Sequence, residues 1–261
     1  MHIKSGRLIL SILFILCLSF QASAWNPMVV VSGSGGGGCY SCTDPVGILW
    51  ECNDLTVGDT NYSPCGCSSG DSEATNSGAA ISTGTCVYDD TSENNGIDYF
   101  IFDVSSYDIF DSDAGTLFIR MTVDTAITDT RIFMVYAGAG DYIALGTDGV
   151  DDLKGVYRGN AGTVRTVTTT SAYCTAGTEF ILRFRWRLTG TPNLELNVYN
   201  TSMVEQGTGP TNDNELDEWT DDPGAGEFWV GENRGAITGY KHTVKYYHLY
   251  KDWRDSDTLA P

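Results

Sequence analysis

The 261-residue chain sets 34 Asp and Glu against 15 Lys and Arg, a formal net charge of −19, and carries 30 glycines, 14 tyrosines and 8 cysteines. A field of that sign repels phosphate backbones and anionic lipid, so nucleic acid is excluded as a partner and cations, neutral polymers or basic surfaces are favoured. Past the N-terminus no apolar run is long enough to cross a bilayer, which excludes membrane insertion of the mature chain.

Lys4 and Arg7 precede an apolar run from Leu8 to Phe20 that closes on Ala22-Ser23-Ala24, the pattern of a secretory signal peptide over residues 1–24. The expected product is secreted and extracellular, or periplasmic, and starts near Trp25. Residues 25–46 form a flexible Gly-rich segment, since Ser32 to Gly38 offers too few side chains to pack. With Cys17 in the leader, the disulfide candidates are Cys39, Cys42, Cys52, Cys65, Cys67, Cys86 and Cys174. Their odd number leaves one thiol free or bonded to another molecule. A zinc site from Cys39-x-x-Cys42 and Cys65-x-Cys67 is the alternative, but the spacing is irregular and no histidine lies nearby.

A folded domain is expected over 47–255, with a tail at 256–261. Gly47 to Cys52 reads as a first strand with Ile48 and Trp50 on one face. Asn53 to Gly84 is rich in Asp, Asn, Ser and Gly and is expected to be an irregular loop, part of a Cys-rich insert at 52–86. Thr85–Tyr88, Tyr99–Phe102 and Gly115–Val123 follow as strands, the last with Leu117, Ile119, Met121 and Val123 sharing a face. Arg131–Tyr136, Tyr142–Leu145, Leu153–Tyr157 and Thr163–Thr168 continue the pattern between Gly and Asp turns, at the spacing of a sandwich or barrel.

The clearest alternation comes next. Phe180, Leu182, Phe184, Trp186 and Leu188 share one face, and Ile181, Arg183, Arg185 and Arg187 the other. After a turn at Thr189–Asn193, Leu194, Leu196 and Val198 oppose Glu195, Asn197 and Tyr199. One face of this hairpin is expected in the core and the other in water, with the arginines across from Glu195. A polar loop from Gln206 to Gly226, a strand at Glu227–Gly231 and a closing strand at Tyr240–Tyr250 complete the chain. No helical periodicity follows the leader, so the fold class is all-β.

Several of these stretches, in this order, resemble a concanavalin A-like lectin/glucanase sandwich of the laminin-G type. Gly115–Ile119 is similar to the strand after the entry loops, Phe180–Trp186 to the strand with a tryptophan near its end, and Leu194–Tyr199 to its successor. Trp229-Val230-Gly231 and Val244–Tyr250 are similar to the penultimate and closing strands. The resemblance spans roughly Ile48 to Trp253. It implies an antiparallel jelly-roll β-sandwich of two sheets, one concave, with the insert at 52–86 as a departure.

Glucan hydrolases of that fold set carboxylates alternately on one strand, as E-x-D-x-E or with one further residue, because period 2 aims them into one cleft. Glu215-Leu216-Asp217-Glu218-Trp219 lacks the second glutamate in register and reads as a solvated acidic loop, while Glu195 and Asn197 lack a third acid. A glycoside hydrolase or lyase is therefore the weakest alternative. His242 and His248, six apart on the closing strand with Val244 and Tyr246 between, fall on one face and read as ordinary strand histidines. Two acidic loops, Asp148, Asp151 and Asp152 with Asp221 and Asp222, supply the oxygen ligands Ca²⁺ prefers.

Sugars stack their C–H faces on rings and direct hydroxyls to planar polar groups. Tyr157, Arg158, Trp219, Asn233, Arg234 and Tyr240, near expected loops, are the residues of that kind, whereas Trp186 and Trp229 lie inside strands and belong to the core. The function expected is a secreted, non-catalytic binding module for carbohydrate or an extracellular protein. A structural or decoration component of an extracellular surface or virus-like particle is the alternative, and oligomeric state is not encoded in these patterns.

Overall fold

A computed structural model describes residues 46–51, 61–62, 74–77, 80–82, 85–89, 99–102, 110–124, 131–137, 140–148, 152–160, 162–170, 173, 175–220, 228–231 and 241–257. Among them are sixteen strands and no helix, as the lack of helical periodicity predicts. The strands are β1 (Val46–Glu51), β2 (Asn61–Tyr62), β3 (Ala74–Ser77), β4 (Ala80–Ser82), β5 (Thr85–Asp89), β6 (Tyr99–Phe102), β7 (Ala114–Val123) and β8 (Arg131–Ala137). They continue as β9 (Asp141–Thr147), β10 (Leu153–Arg158), β11 (Arg165–Thr168), β12 (Thr178–Arg187), β13 (Leu194–Tyr199), β14 (Thr211–Asn212), β15 (Phe228–Gly231) and β16 (Lys241–Tyr250).

Two antiparallel sheets result. The first runs β14-β13-β12-β7-β16-β5-β4 with β1 also on β16, and the second β11-β10-β9-β8-β15-β6-β3-β2. The long strand β16 organises the first sheet. One edge pairs with β7 from His242↔Val123 to Tyr250↔Thr116, and β5 and β1 share the other edge end to end.

The core lies between the sheets. Leu117, Ile119, Met121 and Val123 of β7 and Phe180, Leu182, Phe184 and Trp186 of β12 meet Phe133, Val135, Ile143, Leu145 and Val167 of the second sheet, all buried. Each such side chain withdrawn from water contributes about 1.5–3 kcal/mol before chain entropy is counted. Two glycines are set by how closely the sheets approach. A Cβ at Gly155 on β10 would stand 2.3 Å from Phe184 Cε2, and one at Gly115 on β7 would stand 2.2 Å from Trp186 Cζ2. The two large rings fill the space that the glycines leave.

Three expectations are corrected. The stretch 53–84 contributes β2, β3 and β4, and β3 pairs with β6 from Ala74↔Phe102 to Ser77↔Tyr99, so it is not wholly irregular. Its strands are two to four residues long, too short to show a period. Second, β16 is not regular: its register with β7 shifts between Val244 and Tyr246. One extra residue turns every later side chain to the opposite face. His242 and Val244 therefore face the inter-sheet core, whereas Tyr246, His248 and Tyr250 face outward, and the two histidines lie on opposite sides of the sheet.

Third, the arginine face of the β12–β13 hairpin is not in water. Arg183, Arg185, Glu195 and Asn197 are buried, because residues 251–257 fold back across this face as a strap. Phe118, Ile181, Tyr199, Tyr246 and Tyr250 form a second small core there. Asp257 belongs to this structure. It is 9% exposed, and its two carboxylate oxygens bond His248 Nδ1 and the Tyr250 hydroxyl, each at 2.8 Å.

Candidate functional site

The period-2 rule sends residues 134 and 136 of β8, 142 and 144 of β9, and 156 and 158 of β10 to the outer face of the second sheet. Met134, Ala144 and Val156 make a small buried cluster there, and Tyr136 and Tyr142 pack against it, each partly buried. Strand register puts Tyr136 directly opposite Tyr142 and Tyr142 directly opposite Arg158. Two phenol rings and a guanidinium thus stand side by side across three strands, a row about 10 Å long at a strand spacing of roughly 4.8 Å. The Arg158 head lies over the β8–β9 turn, where a Cβ on Gly140 (φ +110°) would come 3.4 Å from its Cζ. The row combines flat apolar faces with phenolic and guanidinium hydrogen-bonding groups, the chemistry that sugar recognition requires.

Of the residues expected to form a glycan site, Arg158 belongs to this row. Tyr157 and Trp219 do not, and they are corrections. Tyr157 is fully buried, one residue out of phase with Arg158, and its hydroxyl donates to the carbonyls of Ser112 (3.3 Å) and Asp217 (3.1 Å). Burial, followed by the carboxylates of Asp113, Asp141, Asp217 and Asp111, raises its phenol far above the ordinary value, so it stays protonated. Trp219 is 9% exposed and packs on Phe110 and Tyr157, with ring centroids 5.4 and 6.4 Å apart. Both rings anchor the acidic loop instead. Leu216 enters the core, Thr220 N donates to Asp141 Oδ2 at 2.9 Å, and a Cβ on Gly159 would come 1.8 Å from the Asp217 carbonyl. Glu215 and Glu218 remain exposed, as a solvated acidic loop requires. Asn233, Arg234 and Tyr240 lie outside the described residues.

Tyr136 and Tyr142 escape a reading of the sequence because β8 and β9 are apolar on both faces. The available signal is phase. Taking Phe133, Val135, Ile143 and Leu145 as core forces both tyrosines outward, beside the small Ala144.

The outer face of the first sheet is closed by charge. Glu195 Oε1 is 3.1 Å from Arg183 Nη2, and Glu195 Oε2 is 2.7 Å from Arg185 Nη2. Arg183 also donates to Asn197 Oδ1 and to the Asp255 carbonyl, and Asn197 Nδ2 donates to Glu205. Arg185 Nη1 reaches Asp255 Oδ1 at 2.7 Å, and the guanidiniums of Arg185 and Arg187 lie 4.2 and 4.1 Å from the Trp253 ring centre. The bond to Arg185 holds the Asp255 carboxyl below the usual carboxylate range. Both Glu195 oxygens are committed to guanidiniums beneath the strap. That carboxylate has no route to a sugar and no freedom to act as acid or nucleophile.

For metals, Asp148 and Asp152 are tied by a backbone bond from Asp148 N to Asp152 O at 2.9 Å, while Asp151, Asp221 and Asp222 lie outside the described residues. Among the described residues no three His, Cys, Asp or Glu side chains converge as a metal site. Cys86 is buried in the core and disulfide-bonded. Cys39, Cys42, Cys52, Cys65, Cys67 and Cys174 lie outside the described residues. Also among the described residues, no helix is long and apolar enough to cross a membrane.

Comparison with solved structures adds the fold. The sialidase of Trypanosoma rangeli in complex with sialic acid superposes with a TM-score of 0.52 at 14% identity, over 78% of this chain and 30% of that one. The receptor-binding domain of botulinum neurotoxin C/D mosaic serotype gives 0.55 at 7% identity, over 81% of this chain and 49% of that one. The binding domain of Paraclostridial mosquitocidal protein 1 gives 0.55 at 11%, over 82% and 51%. The chain shares their β-sandwich fold. It spans about a third of the sialidase and half of the toxin domains. No protein-family model and no curated protein matches the sequence.

Proposed function

We propose that this chain is an exported, non-catalytic carbohydrate-binding module of the concanavalin A-like, laminin-G-like group, and that glycan stacks on the Tyr136–Tyr142–Arg158 row. The observation that carries the reading is the register that aligns these three side chains across β8, β9 and β10. A pyranose lays its C–H face on a phenol ring, and its hydroxyls exchange bonds with the phenols and with Arg158. The structural neighbours add support, since two are receptor-binding or binding domains and a third is a sialidase bound to sialic acid. Export is supported by the leader pattern at 1–24 and by the disulfide at Cys86.

A glycan array probed with the purified mature chain, the Tyr136→Ala and Tyr142→Ala variants, and the wild type with chelator tests this reading. Binding by the wild type that both variants lose supports the row. No binding by the folded wild type overturns the lectin reading and leaves the structural or decoration role. Loss of binding with chelator supports Ca²⁺ at the acidic loops of Asp148, Asp151 and Asp152 and of Asp221 and Asp222; unchanged binding counts against it.

A further inference from the structure

Where β11 and β14 end their respective sheets, the chain from 200 to 210 doubles back over β13 and leaves a cleft of about 140 Å³. Leu196 and Val198, almost wholly buried, lie beneath it, its rim carries the ring of Tyr173, Gln206, the backbone of Gly207 and the exposed threonines Thr170 and Thr208, and among the described residues no charged one lines it.

The cleft is built in advance of any ligand. The Asn200 carboxamide accepts from Ser202 N and Val204 N, each at 3.0 Å. Glu205 Oε1 accepts from Asn197 Nδ2 at 2.7 Å and from Gly209 N at 3.2 Å. Gln206 N donates to the Val198 carbonyl at 2.7 Å, Leu196 N donates to the Pro210 carbonyl at 3.1 Å, and the Tyr173 hydroxyl donates to the Gln206 carbonyl. Gly207 holds φ +78°, a conformation side chains disfavour, so no Cβ intrudes on the cleft at that point. A hydrogen-bonded cleft with no charge among its described lining residues, one aromatic ring and hydroxyls at its rim matches an uncharged polyol with an apolar face. Its volume falls below the roughly 300–1,000 Å³ of drug-sized sites, so it admits one ring rather than a chain.

We propose that this edge cleft is a second binding site, separate from the tyrosine row, that takes a single neutral pyranose residue. The assignment stands on its own lining and not on the row.

The test is titration of the ¹⁵N-labelled mature chain with methyl β-D-galactopyranoside, methyl β-D-glucopyranoside and the methyl glycoside of N-acetylneuraminic acid, followed by amide shifts. The expected result is saturable shifts at Tyr173, Gln206, Gly207 and Thr208 with at least one neutral glycoside, at millimolar Kd, as a ligand of a dozen heavy atoms commands. The anionic glycoside should leave these amides unmoved, because no cation is among the described residues that line the cleft. Thr208→Trp and Thr170→Trp, surface changes that fill the cleft, should each abolish the shifts, and Tyr142→Ala should retain them. Absence of saturable shifts with both neutral glycosides overturns the proposal. So does loss of the shifts in Tyr142→Ala, which would move the event to the row, or an equal response to the anionic glycoside.

Discussion

Replacing Glu195 by alanine removes the carboxylate that holds both Arg183 and Arg185 beneath the strap. Both arginines are 6% exposed and cannot turn to water without lifting residues 251–257, so the loss is of the kind that breaks a buried pair, about 3–5 kcal/mol. The lower end applies, because Arg183 keeps Asn197 Oδ1 and Arg185 keeps Asp255 Oδ1. At about 2–4 °C per kcal/mol for a domain of this size, Tm should fall by about 6–12 °C. Asp255→Ala is the internal comparison. It removes a partner of the same arginine, but the Asp255 side chain is 90% exposed, and such pairs contribute under about 1 kcal/mol. Scanning calorimetry of the two variants at neutral pH gives the answer. A Glu195→Ala shift no larger than that of Asp255→Ala would refute the claim that the strap buries this network.

Three further outcomes follow from the geometry. His242 is completely buried in the core and burial lowers its pKa from 6.5 to about 3, so the native state binds fewer protons than the unfolded chain as pH falls. Its contribution is intact above pH 6.5 and is lost progressively toward pH 3, at about 1.4 kcal/mol per unit. His242→Phe should therefore flatten the fall of Tm between pH 6 and pH 4.5, a range above the carboxylates whose pKa values Arg185, Arg120 and Lys245 hold down; an unchanged slope would contradict it. Gly155→Ala drives a methyl into Phe184 and should cost about 1–3 kcal/mol in urea unfolding, whereas a neutral effect would mean the sheets can separate there. Tyr157→Phe leaves the core ring in place and strips the bond to the Asp217 carbonyl, so it should cost about 1 kcal/mol and free residues 213–220 to exchange amide hydrogens faster, without altering glycan binding.

The parts legible in the sequence are those where one face is apolar and the other is not. The alternation from Phe180 to Tyr199 gives β12, β13 and the pairing Arg185↔Glu195, and Leu117 to Val123 gives the β7 core row. What period 2 cannot show is a break in itself. The bulge after Val244 separates His242 from His248, and nothing in Val244-Lys245-Tyr246 marks it. Nor does it show what covers a polar face. Asp252, Trp253, Arg254 and Asp255 lie over three arginines through charge, backbone carbonyls and a tryptophan ring. In the candidate site, Tyr157 and Arg158 are neighbours in sequence and therefore opposite in direction. Tyr157 therefore enters the core while Arg158 points outward, and only register sets Tyr136 and Tyr142 on the same face as Arg158.

The most direct test of the central claim is isothermal titration of the mature chain, Tyr142→Ala and Tyr157→Phe against the glycan that the array binds most strongly. The row predicts that Tyr142→Ala weakens binding at least about tenfold, roughly 1.4 kcal/mol, while Tyr157→Phe binds as the wild type does. Equal affinity in the wild type and Tyr142→Ala, or a loss confined to Tyr157→Phe, would contradict it.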